Sequence, residues 1–160
     1  MDISGIGKQR MALRWVSAAE GQLFADTVKE LTGSVEEMGA FDIEEHRLQL
    51  AAIERALKSP RIRWLTGMDR QLTERGNVYN EKMDLETFQN MEREVAADEY
   101  QKALLLEVLT EGALSVREMA AKTGLPVYTV SLRLNDLERR GQAELKGYEG
   151  STPKFIRLAA

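Results

Sequence analysis

Between Ser115 and Leu158 the chain carries a run of local signals that leaves few folds open. Ser115 and Glu118 stand three apart, the spacing at which each side chain satisfies a backbone N–H that the first helical turn leaves unpaired. A short helix therefore starts near Val116. Ala120 suits the close crossing of a second helix, and Gly124 takes the positive φ that lets the chain turn sharply. Pro126 suits the first turn of the next helix, where its missing N–H has no helical partner to lose. In that helix Val127, Val130, Leu134 and Leu137 share one face by the helical period. Tyr128, Thr129, Leu132, Arg133, Asp136, Arg139 and Arg140 fall toward the other. Gly141 ends the helix. Two alternating runs at residues 143–147 and 154–158, joined by YEGSTP, predict a two-stranded ribbon.

With a preceding helix at about 98–111, residues 98–160 resemble winged helix-turn-helix domains, since cap, turn, spacing and ribbon all agree. Arg133 stands where such a second helix often has an aliphatic residue. The resemblance implies a recognition helix with Tyr128, Thr129, Arg133, Arg139 and Arg140 near bases or phosphates of a major groove. Lys146 and Lys154 on the ribbon would meet backbone or minor groove. Leu132 on the outward face is more at home at a protein contact, or packed beneath other helices, than at a base edge.

Charge is lukewarm about nucleic acid. The chain has a net charge of −4, and residues 98–160 carry 9 Lys and Arg against 9 Asp and Glu. A dedicated DNA binder usually shows a basic patch, because counterion release from phosphates supplies much of its affinity. The chain has no cysteine, which excludes disulfides, thiolate zinc sites and cysteine-held iron–sulfur clusters. It has 30% charged residues and no apolar run near the length of a membrane span. Residues 1–25 lack the apolar segment of a signal peptide. A cytoplasmic location and no membrane partner are expected.

Residues 4–39 hold a second patterned stretch: a Gly-rich lead-in, a strand at about 11–16, and a helix from about 19 to 38. Ser17 is its expected cap and Glu20 the box partner. Leu23, Phe24, Val28, Leu31 and Val35 form the expected buried face, with Gly33 tolerated inside at about 1 kcal/mol relative to Ala. Gly5-Ile6-Gly7, Arg10, Trp15, the run Ser17-Ala18-Ala19-Glu20-Gly21, Phe24 and Gly39 resemble the C-terminal tail of the delta subunit family of methyl-viologen-reducing hydrogenase. That family of iron–sulfur proteins joins hydrogenase to heterodisulfide reductase, and the run WVSAAEG is the most specific part of the match. The resemblance implies a small subunit of an electron-transfer complex. The family's cysteine-bearing part lies upstream of this tail and is absent here, so only a docking surface would remain, with Trp15, Ser17, Glu20 and Phe24 at it. Read by residue type alone, Trp15 and Phe24 are packing residues.

The middle of the chain reads as a helical connector. Asp42 and Glu45 make a further cap, followed by a narrow seam of Ile43, His46, Leu50, Ile53 and Leu57. His46 is the one histidine and reads as a seam residue rather than a ligand. Ser59-Pro60 starts another helix, burying Ile62, Leu65, Met68 and Leu72 before Gly76-Asn77 stops it. Its arginines, Arg61, Arg63, Arg70 and Arg75, are interleaved with Asp69 and Glu74 and read as a solvated face. Asp84 caps a helix carrying Leu85, Phe88, Met91 and Val95, which either breaks near 97–98 or runs on into the apolar stretch 104–109.

The expected fold is mainly α with a small β-ribbon. It divides into a strand-plus-helix segment (1–40), a helical connector (41–97) and a winged helix-turn-helix domain (98–160). No catalytic constellation, metal-ligand cluster or phosphate loop is legible, so no cofactor and no enzymatic activity are expected. Two readings remain. The first is an accessory subunit of a hydrogenase or heterodisulfide-reductase assembly, bound to redox-complex subunits or to a homodimer partner. The second is a regulator of transcription bound to double-stranded DNA.

Overall fold

The computed structural model of the chain describes residues 3–7, 10–17 and 19–158. Ala18, within the WVSAAEG run, lies outside the described residues. The described chain is mainly helical with a small two-stranded antiparallel sheet at its C-terminal end. It divides into two units, Met1–Arg47 and Leu48–Ala160.

The first unit contains α1 (Gly21–Met38), which runs unbroken through Gly33. The expected strand at 11–16 does not form: these residues have no hydrogen-bonded partner strand among those described, and a strand is stable only when paired. The Ser17 cap also differs from expectation. The Glu20 carboxylate accepts from the Ser17 N–H at 3.2 Å, but Ser17 Oγ accepts from Ala19 N–H, two residues on. That makes a local turn, and the helix begins at Gly21 rather than at 19. Gly39, at φ 67°, ends α1. Arg10 then donates to the Met38 and Gly39 carbonyls at 3.2 and 3.5 Å, where the helix dipole favours a cation. Its guanidinium sits 5.0 Å over the Phe41 ring, and Phe41 stacks on His46 with ring centres 5.0 Å apart. Asp42 Oδ1 accepts from the N–H groups of Glu44 and Glu45, but holds a turn rather than a helix start.

The second unit is organised along α4 (Leu85–Val108), one continuous helix of 24 residues. Asp84 Oδ1 caps it, accepting from Thr87 N–H at 2.9 Å. Three apolar clusters line it in order. Near its start, Phe88 and Val95 pack with Leu65 of α3 (Pro60–Arg70), supported by Ile62, Leu72, Met83 and Met91. Ser59 caps α3 by accepting from Ile62 N–H at 3.3 Å. Beyond Arg70, residues Gln71–Arg75 widen into a π-turn that closes at Gly76, φ 80°. At mid-length, Tyr100, Ala103 and Leu104 pack on Ala52 and Ala56 of α2 (Arg47–Leu57).

The seam expected on α2 is thereby corrected. Ile43 and Leu57 are exposed, and the buried positions are Ala52 and Ala56 with Leu48 and Ile53 beside them. Two alanines on the i, i+4 row let the helices approach closely, which larger residues on the neighbouring row would prevent. Past mid-length, Leu105, Leu106, Val108 and Leu109 join Met119, Val130, Leu134, Leu137 and Ala143 in the largest cluster.

That last cluster holds α5 (Val116–Thr123), α6 (Val127–Arg139) and the hairpin β1 (Ala143–Glu149) and β2 (Thr152–Arg157). Both hydrogen bonds of the Ser115/Glu118 box are present. Gly124 has φ 72° and accepts the turn between helices without a Cβ clash. The hairpin is longer and tighter than the expected YEGSTP loop: Glu149 pairs with Thr152, so Gly150 and Ser151 alone make the turn. Tyr148 and Pro153 are therefore ladder residues. The register shifts between Leu145 and Gly147, leaving Lys146 as a bulge. Leu114 exchanges both backbone hydrogen bonds with Phe155, at 3.0 and 2.8 Å, adding an isolated one-residue bridge to β2 ahead of α5.

Candidate functional site

The charged residues of α6 sort into those turned toward α4 and those left outside. Arg133 is turned inward. Its guanidinium reaches Asp98 Oδ1 at 2.6 Å and donates to Gln101 Oε1 at 2.8 Å. Asp98 also receives Arg61 of α3 and Lys102, each at 2.6 Å. Glu99 lies 3.3 Å from Arg140, 3.6 Å from Lys102 and 3.7 Å from Arg61. Asp136 is 3.5 Å from Lys102.

Asp98, Glu99 and Asp136 thus share four cations at the junction of α3, α4 and α6. Lys102 is almost wholly enclosed there, its side chain 4% exposed. Burial raises the Asp98 carboxyl, but the Lys102 hydrogen bond and the charges of Lys102, Arg133 and Arg61 outweigh it and hold the group below the ordinary Asp value. Arg133 can turn inward because a carboxylate on α4 answers it.

The hairpin repeats the pattern. Lys154 Nζ meets Glu118 at 2.7 Å and Glu149 at 3.0 Å. Its hydrogen bond, with those from Ser115, holds the Glu118 carboxyl at about 2. Of the expected DNA-contacting residues, Arg133, Arg140 and Lys154 are therefore engaged by acids. Arg139 and Lys146 are exposed without an ion pair among the described residues, and Thr129 is half-buried. Tyr128 and Leu132 stand outward at 78% and 44% exposure, with Val127 beside them. Val127 was expected on the buried face; it is at the first turn of α6, ahead of the point where Val130 enters the core. The outward surface of α6 is thus apolar over its first half, polar beyond, and carries Arg139 near its end.

The N-terminal candidates behave differently from expectation. Trp15 is 87% exposed and Phe24 61%, with Leu23, Val28 and Val35 exposed as well. No residue of α1 is buried, so the face expected to pack lies open. Ser17 and Glu20 serve the turn before α1. Arg10 closes the end of α1.

Two residues sequence reasoning missed are Asp98 and Glu99. Their spacing of four and three from Lys102 is a helical ion-pair signal, whereas nothing local announces Arg133 or Arg140 as their partners. A cleft of about 460 Å³ lies beside this ionic junction. Arg55, Lys58, Glu54 and Glu107 line it together with Lys102 and Arg140. Arg55 is paired with Glu107 and Lys58 with Glu54, so its charges answer one another. Among the described residues, no group of acidic or histidine side chains could hold a metal ion, and no helix is long and apolar enough to cross a membrane. Comparison with known protein families, with curated proteins and with solved structures found no match to this chain.

Proposed function

We propose that the chain is a non-catalytic accessory subunit that binds other proteins, in an assembly of the hydrogenase and heterodisulfide-reductase type, and that residues 98–160 are a winged helix-turn-helix used as an interaction module. The fold part of this reading is supported by element order: a long helix, the Leu114 rung, α5, a glycine turn, α6 and a hairpin that pairs back onto Leu114. The assembly part is supported by the resemblance of residues 4–39 to the hydrogenase delta-subunit tail.

One observation carries the choice of a protein partner. The cations a DNA reader would offer, Arg133, Arg140 and Lys154, are spent on Asp98, Glu99, Glu118 and Glu149. Tyr128 and Leu132 meanwhile stay exposed on the first half of α6. Exposed tyrosine is among the usual anchors of protein interfaces, and Leu132 one turn on extends the apolar surface beside it.

The test is affinity capture from an anaerobic lysate. The wild-type chain is expected to recover flavin or iron–sulfur subunits, and the pair Tyr128→Ala and Leu132→Ala to weaken recovery about tenfold, as for other interface anchors. Recovery of the chain alone would count against the reading. The second reading, a DNA-binding regulator, is favoured by the exposed Arg139 and Lys146 on α6 and at the hairpin bulge. It requires duplex binding that falls steeply with salt and is lost in Arg139→Ala with Lys146→Ala.

A further inference from the structure

The loop between the π-turn and α4 is held in one shape and shows its apolar side chains to solvent. Asn77 organises it: Oδ1 accepts from the Tyr79 and Glu81 N–H groups at 2.9 and 3.0 Å, and Nδ2 donates to Glu81 Oε2 at 2.7 Å. The Asn77 N–H reaches the Glu81 carbonyl at 2.9 Å, and a Cβ at Gly76 would lie 2.9 Å from that same oxygen. Asn80 turns the chain at φ 63°, a conformation asparagine tolerates. Yet Val78 and Tyr79, at the tip, are 91% and 79% exposed.

Beside the tip lies an apolar hollow of about 690 Å³, with Met68, Leu72 and Met83 in its wall. Val78 belongs to its lining while staying exposed, so it stands at the mouth. Projection and recess therefore share one surface. Tyrosine and methionine are enriched in protein interfaces, and methionine side chains adapt to what enters between them.

We infer that this surface pairs with a second copy of the chain about a two-fold axis, each Tyr79 entering the hollow of the other copy. A two-fold contact needs a patch that is complementary to itself, and a projection beside a recess is such a patch. Charge selects this occupant. Residues 68–83 carry Asp69, Glu74 and Glu81 against Arg70, Arg75 and Lys82, with Arg70 and Glu74 paired at 3.1 Å. Two copies thus meet without a net like-charge penalty, whereas nucleic acid or an anionic lipid finds no excess of cations to draw it. The loop is already ordered, so contact costs it little conformational entropy. With one loop and one hollow from each copy, the interface belongs to the small, weak class.

The test is sedimentation of the full chain over a range of concentrations. The mass is expected to rise from one chain toward two and no further. Tyr79→Ser should weaken dimerisation about tenfold or more, and Met68→Lys, which sets a charge in the hollow, should do the same. Mixed together, the two variants should associate more strongly than either alone, because Tyr79 of the Met68→Lys chain still finds an open hollow on the Tyr79→Ser chain. The melting temperature of the dilute chain should be unchanged by Tyr79→Ser.

A chain that stays monomeric throughout would overturn the inference, and so would a mass that climbs past two, since a head-to-tail contact does not close. Failure of the mixed variants to associate would overturn the exchange of Tyr79. A monomer whose hollow binds anilinonaphthalene sulfonate, with binding lost in Met68→Lys, would make it a small-molecule site instead. A fall of several degrees in melting temperature on Tyr79→Ser would show the tip packed within the chain, with the same consequence. The inference goes beyond the reading of the chain as an accessory subunit. Leu72 and Met83 belong to the Phe88 cluster and α6 to the cluster at the other end of α4, so the sedimentation and capture results can fail separately.

Discussion

Asp98 is the acid at the centre of the ionic junction that α6 joins. It sits between Arg61, Lys102 and Arg133, and removing one member of a buried ion cluster leaves charge without compensation. Asp98→Ala is expected to lower stability by about 3 kcal/mol in urea unfolding, the low end for broken buried pairs, because Glu99 and Asp136 remain close to Lys102. Replacing Asp98, Lys102 and Arg133 together by apolar residues of similar volume should cost far less, since the same principle makes such clusters poor sources of net stability.

The pH dependence has a fixed sign. Asp98 and Glu118 are both held below their ordinary values, so each contributes stability fully above the ordinary carboxylate range, about pH 4. That contribution is lost as pH falls, for Glu118 completely only below about 2. An acid titration followed by circular dichroism should show Glu118→Gln flattening the lower part of the profile. At this scale the caps of Ser59, Asp84 and Ser115 and the turn at Gly124 were legible, because each is a matter of neighbours within four residues. The Arg133–Asp98 pair was not, because its members are 35 positions apart and only packing brings them together.

Among the elements, α4 and α2 show how tertiary context resolves what periodicity leaves open. The sequence allowed residues 84–111 to be one helix or two, and the structure makes it one because apolar partners line it without interruption from Phe88 to Leu109. On α2 the larger residues suggested a seam through Leu50, Ile53 and Leu57, yet the contact row runs through Ala52 and Ala56. Size was the misleading cue: where two helices meet closely, the small residues mark the interface. Ala52 is completely enclosed, so Ala52→Leu is expected to destabilise by about 1–3 kcal/mol in thermal or urea unfolding, as overpacking does. Leu50→Ala, off the contact row, should cost clearly less. The missing strand at 11–16 has a related cause, since alternation of apolar residues predicts a strand only where another strand is present to pair with it.

For the molecule as a whole, the two units are unequal in what holds them. All three apolar clusters are drawn from residues 48–155, while Ile6 is the one buried apolar side chain described in residues 1–47. A segment of that size is near the limit below which a chain rarely sustains a core alone. Native-state hydrogen exchange is expected to show α1 amides exchanging orders of magnitude faster than those of Leu105 or Leu134, whose opening approaches global unfolding. The legible and the illegible parts of the sequence divide in the same way: the C-terminal region could be read because its elements satisfy one another, and residues 1–40 less so because, among the described residues, no strand pairs with 11–16 and no residue of α1 is buried.

The uninterrupted course of α4 also sets a distance. At 24 residues it is about 36 Å long, with the Phe88 cluster at one end and the cluster holding α6 at the other. Molecules gripping opposite ends would stay clear of each other while remaining on one stiff rod. The helix thereby fixes how far apart those two clusters lie, a separation that changes of side chain at either tip would not alter.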